Sequence, residues 1–162
     1  MAKNKEVKTN VMRILDREKI TYTVRTYECD EFTDGMEVAK KLDIPCETMY
    51  KTLVTEGHSK NYFVFVLPVD KELDLKAAAR SVSEKSVEMI HVKDINALTG
   101  YIRGGCSPIG MKKQYVTRID SHAEDLSEIT VSGGKIGVQI TLKPADLIRA
   151  AKTEYADIIV QE

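Results

Sequence analysis

The chain has 162 residues, the length of one ordinary domain with a single core, and the reading is one domain over 1–162. Apolar residues make up 43% and charged residues 30%, which excludes a disordered chain, and no apolar run approaches a membrane span. A net charge of -1 excludes the broad basic surface of a nonspecific nucleic-acid binder, leaving room only for a partner gripped by a local patch.

The N-terminal "MAKNKEVKTN" is charged and lacks the apolar core of a secretion signal. Three widely spaced cysteines, Cys29, Cys46 and Cys106, fit a reducing cytosol better than a disulfide framework. A cytoplasmic location is therefore expected.

Residues 5–18 place Val7, Val11, Ile14 and Leu15 on one face of an amphipathic helix. "TYTVRTY", ending at Tyr27, alternates like a strand. Thr33 and Asp34, with Glu37 three residues after Asp34, open a second helix that must stop before Pro45. "MYKTLVT" and "YFVFVLP" are β-rich runs joined by the polar "EGHSKN", which predicts a hairpin. Asp74 is placed to cap a short helix in "DLKAAARSV". A strand at "SVEMI", a helix at "VKDINALT" and a strand at "GYIR" follow. The last third predicts strands at "QYVTRI", "EITVSG" and "IGVQITL", then a helix from Pro144, a residue suited to the first turn. Strands outnumber helices and interleave irregularly, so the expected class is α+β with a mixed, curved sheet flanked by helices.

Within the first hairpin strand, period two puts Lys51 on the face of Met49 and Leu53. Two readings stand: a charge that guards a strand edge, or an ammonium kept for chemistry in a pocket. Two glycine-rich segments, "GGCSPIG" at 104–110 and "SGGKIG" at 132–137, each follow an expected strand. They read either as tight turns or as loops whose free N–H groups face a ligand oxygen. His58, His91 and His122 stand alone, and no Cys or His pair has metal-ligand spacing. Cys106 is conceivable as a nucleophile, but no histidine lies near it in sequence as a base.

Four segments, "YKTLV", "LDLKAAA", "TGYIRGGCSPIGMKK" and "VSGGKIG", resemble in order and spacing the YbaK/EbsC family of Cys-tRNA(Pro) deacylases. That family is similar to the editing domain of bacterial prolyl-tRNA synthetases. The resemblance implies removal of mischarged cysteine from tRNA(Pro) in trans, and from Cys-tRNA(Cys) as a further substrate, with no metal and no organic cofactor. It implies functional roles for Lys51 and Tyr27. It further implies an aminoacyl pocket of Thr52, Gly104, Gly105, Ser107, Ser132, Gly133, Gly134 and Gln139. Lys112 and Lys113 are candidates for the tRNA backbone, and prolyl-tRNA synthetase is a candidate partner. The family's chemistry is substrate-assisted: the cysteine thiol attacks its own ester. At Gln139 the chain departs from the aspartate of the best-known members. Two alternatives therefore stay open: a deacylase for another small residue such as alanine, and a noncatalytic module that binds tRNA or a synthetase.

Overall fold

The computed structural model describes residues 8–28 and 34–161. Helix α1 spans Asn10–Arg17, and the side chain of its N-cap Thr9 accepts from the Met12 amide at 3.2 Å. Its buried residues are Val11, Met12 and Leu15; Val7, expected on the same face, lies outside the described residues. Strand β1 (Thr23–Thr26) leads to helix α2 (Gly35–Leu42). Asp34 caps α2 by accepting from the Glu37 amide at 3.0 Å, a contact worth about 1 kcal/mol. The other proposed start, Thr33, and the cysteine at 29 lie outside the described residues. The helix ends where Asp43 turns left-handed at φ 57°, two residues before Pro45.

Strands β2 (Tyr50–Gly57) and β3 (Tyr62–Pro68) form the predicted hairpin, in register from Tyr50 opposite Pro68 to Glu56 opposite Tyr62. Asp74 caps helix α3 (Leu75–Ser81), accepting from the Lys76 and Ala77 amides at 3.1 Å. Strand β4 is short (Val87–Met89), and the helix expected over 92–99 divides into a 3-10 turn, Val92–Asp94, and α4 (Ile95–Thr99). Then come β5 (Val116–Asp120), β6 (Ile129–Lys135), β7 (Val138–Leu142) and α5 (Pro144–Ala151), with Pro144 opening the helix. A last strand, β8 (Glu154–Ala156), was not expected from the sequence; at three residues it is too short to show a period.

The expected strand at "GYIR" does not form. Gly100 turns left-handed at φ 86° to end α4, and the following residues bond locally instead of joining a ladder. The Tyr101 amide donates to Thr99 Oγ1 at 3.0 Å, Asn96 Nδ2 donates to Tyr101 O, and the Gly105 amide donates to Ile102 O at 2.9 Å.

The architecture is α+β, as expected, with the strands in two sections. Five strands run in the order β4-β2-β3-β5-β8, antiparallel around β2 and parallel from β3 to β8. Three more run β1-β7-β6, all antiparallel. A parallel bridge between Met49 and Thr130 joins the two sections. Phe63, Phe65 and Leu67 of β3 pack on Ala78 and Ala79 of α3, and Val66, Ile119, Val131, Ile140 and Leu147 form the larger core with α1. Each such Val, Leu, Ile or Phe side chain, fully buried, contributes roughly 1.5–3 kcal/mol.

The smaller sheet has one face in that core and one face that is polar yet buried. On the second face, Thr130 stands opposite Thr141, and Ser132 stands opposite Gln139. The two threonine hydroxyls satisfy each other at 2.7 Å. The glycine-rich segments meet back to back beside this sheet. A Cβ on Gly105 would lie 3.0 Å from Ile136 N and 3.1 Å from the Lys135 backbone, so a side chain here would push the two segments apart by a few tenths of an ångström.

Candidate functional site

The site arises from incomplete pairing of β2. Strand β4 covers only Thr55, Glu56 and Gly57, and β6 meets this part of the chain only at Met49. From that bridge the two chains run parallel and then separate, leaving Lys51–Leu53 with one flank that no strand among the described residues covers. Lys51 and Ser132, each two residues past the bridge, stand on the two sides of the opening. A cleft of about 490 Å³ fills it.

Backbone parity adds donors and acceptors to this flank. Even-numbered residues of β2 turn their backbone groups away from β3: Val54 O accepts from the Ile90 amide, and the His58 amide donates to Ser86 O. Thr52 belongs to the same series, at a level where no strand of the described residues pairs with it on that side. Its N–H and C=O therefore face the cleft, and its Oγ1 is buried without a hydrogen-bond partner. A buried hydroxyl left unpaired costs about 1–3 kcal/mol.

Lys51 is half-buried, and its Nζ donates to Val69 O at a long 3.5 Å. Burial lowers the affinity of its amine for a proton, while Glu72, Asp70 and Asp34 act in the opposite sense. In the order of the sheet β2 is interior, but Lys51 occupies the stretch of it left open, where a guard for a strand edge and an ammonium in a pocket coincide. Tyr27 lines the cleft, with its amide bonded to Gly137 O at 3.0 Å and Lys41 Nζ 5.8 Å from its ring centre.

Of the other sequence-derived positions, Thr52, Gly104, Ser132 and Gln139 also line the cleft. Ser132 Oγ accepts from the Gly134 amide at 3.1 Å, which leaves its O–H to donate. The remaining four pocket candidates lie behind the lining. Gly105 packs on the 135–136 backbone, and Gly133 and Gly134 pack on Val138 and on Val11 with Tyr101. Ser107 is fully buried, its Oγ accepting from the Ile109 amide at 3.3 Å. Lys112 and Lys113 are exposed and outside the lining; Lys112 Nζ donates to Ala97 O at 3.1 Å.

Sequence reasoning missed several lining groups. Asp34 was read only as a cap, yet it also lines the cleft. Arg103 lines it from the segment misread as a strand. Met36, Met89 and Val92 give the cleft an apolar rim and are each about half exposed. Their outward phase on short elements was the available signal. Cys106 also lines the cleft, but burial pushes its thiol up to about 11, against a smaller opposing effect of the Thr99 hydroxyl. It is protonated at neutral pH and unsuited to act as a nucleophile. Among the described residues no three His, Cys, Asp or Glu side chains gather as a metal site, and no helix is long and apolar enough to cross a membrane.

Residues 32–150 match the family model of the aminoacyl-tRNA editing domain. Over the full length of both chains, the sequence is 43% identical to an Enterococcus faecalis protein named "Putative Cys-tRNA(Pro)/Cys-tRNA(Cys) deacylase EbsC". Two solved structures have the same fold. A crystal structure of "a putative trans-editing enzyme for prolyl tRNA synthetase" is 20% identical with a TM-score of 0.80, covering 96% of this chain and 100% of that one. A hypothetical protein is 20% identical with a TM-score of 0.83, covering 93% of this chain and 99% of that one. With its cleft on the open flank of β2 and its sequence matched across most of its length, the chain belongs to the aminoacyl-tRNA editing domain family.

Proposed function

We propose that this protein is a cytosolic trans-editing deacylase that frees tRNA(Pro) of mischarged cysteine, with Cys-tRNA(Cys) as a second substrate. The observation that carries the reading is the cleft itself. It joins Lys51, the open backbone and unpaired hydroxyl of Thr52, and the polar side chains of Ser132 and Gln139, while its one thiol is held protonated. Such a site orients and polarises an ester without supplying a nucleophile of its own. The full-length likeness to EbsC supports cysteine as the aminoacyl group.

The substrate supplies the missing group. Its side-chain thiol loses a proton, and the sulfur attacks the ester carbonyl carbon. A C–S bond forms, the carbonyl oxygen takes up negative charge, and the C–O bond to the terminal ribose then breaks. The ribose oxygen gains one proton, balancing the one lost by the thiol, and the amino acid leaves as a cyclic thiolactone. Lys51 and the donors around it stabilise the charge on oxygen, each worth on the order of 10²-fold. The attack is intramolecular, so the cleft contributes by holding sulfur and carbonyl in a near-attack arrangement. The need for a second site follows from size: a synthetase pocket built for proline gains only about 1–3 kcal/mol of discrimination per methylene. Tyr27 and Gly104 shape the aminoacyl end, Gly105, Ser107, Gly133 and Gly134 hold the lining in place, and Lys112 and Lys113 meet tRNA phosphates. With a chain charge of -1, nonspecific tRNA affinity is small, and a bound prolyl-tRNA synthetase would deliver the substrate.

The test is tRNA(Pro) charged with cysteine, alanine or proline, with loss of the ester followed over time. Selective loss of cysteine, abolished by alkylating the substrate thiol, is expected. Selective loss of alanine would point to water as nucleophile, an alternative that Gln139 keeps open. Binding without any deacylation would replace the enzyme by a tRNA-binding module.

A further inference from the structure

Arg25 was not singled out by the sequence and is not part of the cleft lining. The register of the smaller sheet nevertheless ties it to the site. Arg25 stands directly opposite Gln139, and Gln139 directly opposite Ser132, so the three form one row across β1, β7 and β6. Directly opposed side chains share a face, with Cβ atoms about 4.5–5.5 Å apart. The two inner members of the row line the cleft, and Gln139 is only 4% exposed. The neighbouring row on the same face contains the Thr130–Thr141 hydroxyl pair, which is already satisfied. In the outer position of the Ser132 row, Arg25 Nε is buried with no hydrogen-bond partner.

The chemistry of the pair is one-sided. A guanidinium carries donors only, whereas a carboxamide has a donor end and an acceptor end. Any contact between Arg25 and Gln139 must therefore use Gln139 Oε1 as acceptor. The structure shows no hydrogen bond between the two side chains; a rotation of the carboxamide that satisfies Arg25 Nε turns the NH2 toward the cleft. Ser132, whose Oγ already accepts from the Gly134 amide, likewise has a proton left to offer.

We propose that Arg25 is a positioning residue that fixes Gln139 with its NH2 in the cleft, making this wall a donor to the ester oxygen rather than an acceptor for the substrate's ammonium. The inference rests on the deacylase reading above. It orients the substrate: the ester oxygens face Gln139 and Ser132, and the amino group is directed toward the carboxylate of Asp34, which lines the same cleft.

A double-mutant cycle tests it with Cys-tRNA(Pro) as substrate. Arg25→Met is expected to lower kcat roughly tenfold, with KM unchanged within about twofold, because a misplaced donor is missed mainly in the transition state. Arg25→Lys, which restores a donor, recovers most of the loss. In a Gln139→Met background, Arg25→Met has no further effect. Wild-type kcat in Arg25→Met, or the same loss in the Gln139→Met background, overturns the proposal, the second by showing a purely structural role. A second readout does not need turnover. The side-chain amide signal of Gln139 in a 15N–1H spectrum, identified by its loss in Gln139→Met, must shift in Arg25→Met. An unmoved signal overturns the proposal, whereas a wild-type protein inactive on every charged tRNA overturns the deacylase reading alone.

Discussion

The two halves of β2 use similar residues for opposite ends. In the covered half, Thr55 is fully buried, and its hydroxyl donates to Phe63 O at 3.0 Å within the hairpin. In the open half, three residues earlier, Thr52 has a buried hydroxyl with no partner. Both threonines stand beside β3, but Thr55 bonds to its register partner Phe63 where β4 also covers the strand, whereas Thr52, opposite Val66, makes no such bond where the other flank is open. An open flank, not the residue type, marks the half of β2 whose backbone keeps hydrogen-bonding capacity for something that arrives later. Lys51 belongs to the open half for the same reason: only there is room left beside the strand for an ammonium.

The most severe way to break this contrast is Lys51→Met. Deacylation of Cys-tRNA(Pro) is expected to fall by about 10²-fold or more, while circular dichroism and the melting transition show an intact fold. Activity within a few-fold of wild type would remove Lys51 from the site. The two threonines then give a crossed pair. Thr52→Val is expected to reduce turnover about tenfold and leave stability unchanged or slightly raised, since an unpaired buried hydroxyl is lost. Thr55→Val is expected to cost about 1 kcal/mol of stability and leave turnover unchanged. Urea titrations and single-turnover assays on both variants would show whether the halves exchange these signatures.

A smaller effect is a pH dependence of stability. Burial depresses the folded-state value of Lys51 below its ordinary 10.5, so its charged form is penalised in the folded protein. The penalty is full at neutral pH and fades as pH rises from the folded value toward 10.5, where the unfolded chain also loses the proton. Relative to Lys51→Met, the wild type should therefore gain stability through that alkaline window, as measured by denaturation at matched pH. A flat difference would mean that the ammonium is fully hydrated. The smallest expected change is that of Cys106→Ala, in which turnover stays within about twofold because the protonated thiol takes no part in attack. A large loss there would return Cys106 to the list of nucleophiles.

Much of the fold was legible because it is written in local signals. Asp34 and Asp74 cap the helices they were expected to cap, and Pro144 opens the last one. The hairpin followed from two β-rich runs around a polar turn. "GYIR" failed because Gly100 turns left-handed and the hydrogen bonds around Thr99 and Tyr101 compete with any ladder. The site was legible only in part. Family motifs named Lys51, Ser132 and Gln139, but Arg103 and Asp34 enter the cleft through chain crossings that no local period encodes. The glycines looked alike in sequence, yet Gly104 lines the cleft while Gly105 lies against backbone. That distinction depends on the other glycine-rich segment being present in space.

The contact at Gly105 bears on fidelity. The backbone of Gly105 lies so close to that of Lys135 and Ile136 that a side chain there would press on it, so the spacing between the two glycine-rich segments, and with it one dimension of the cleft, is set as by a gauge block. A sieve of fixed mesh rejects a bulky or misshapen aminoacyl group without having to close around the right one. Selectivity could then drift through a substitution on the reverse side of this joint, where no substrate atom ever reaches. A surveillance enzyme of this build would begin clearing correctly charged tRNA through a loosened hinge pin rather than through a changed catalytic group.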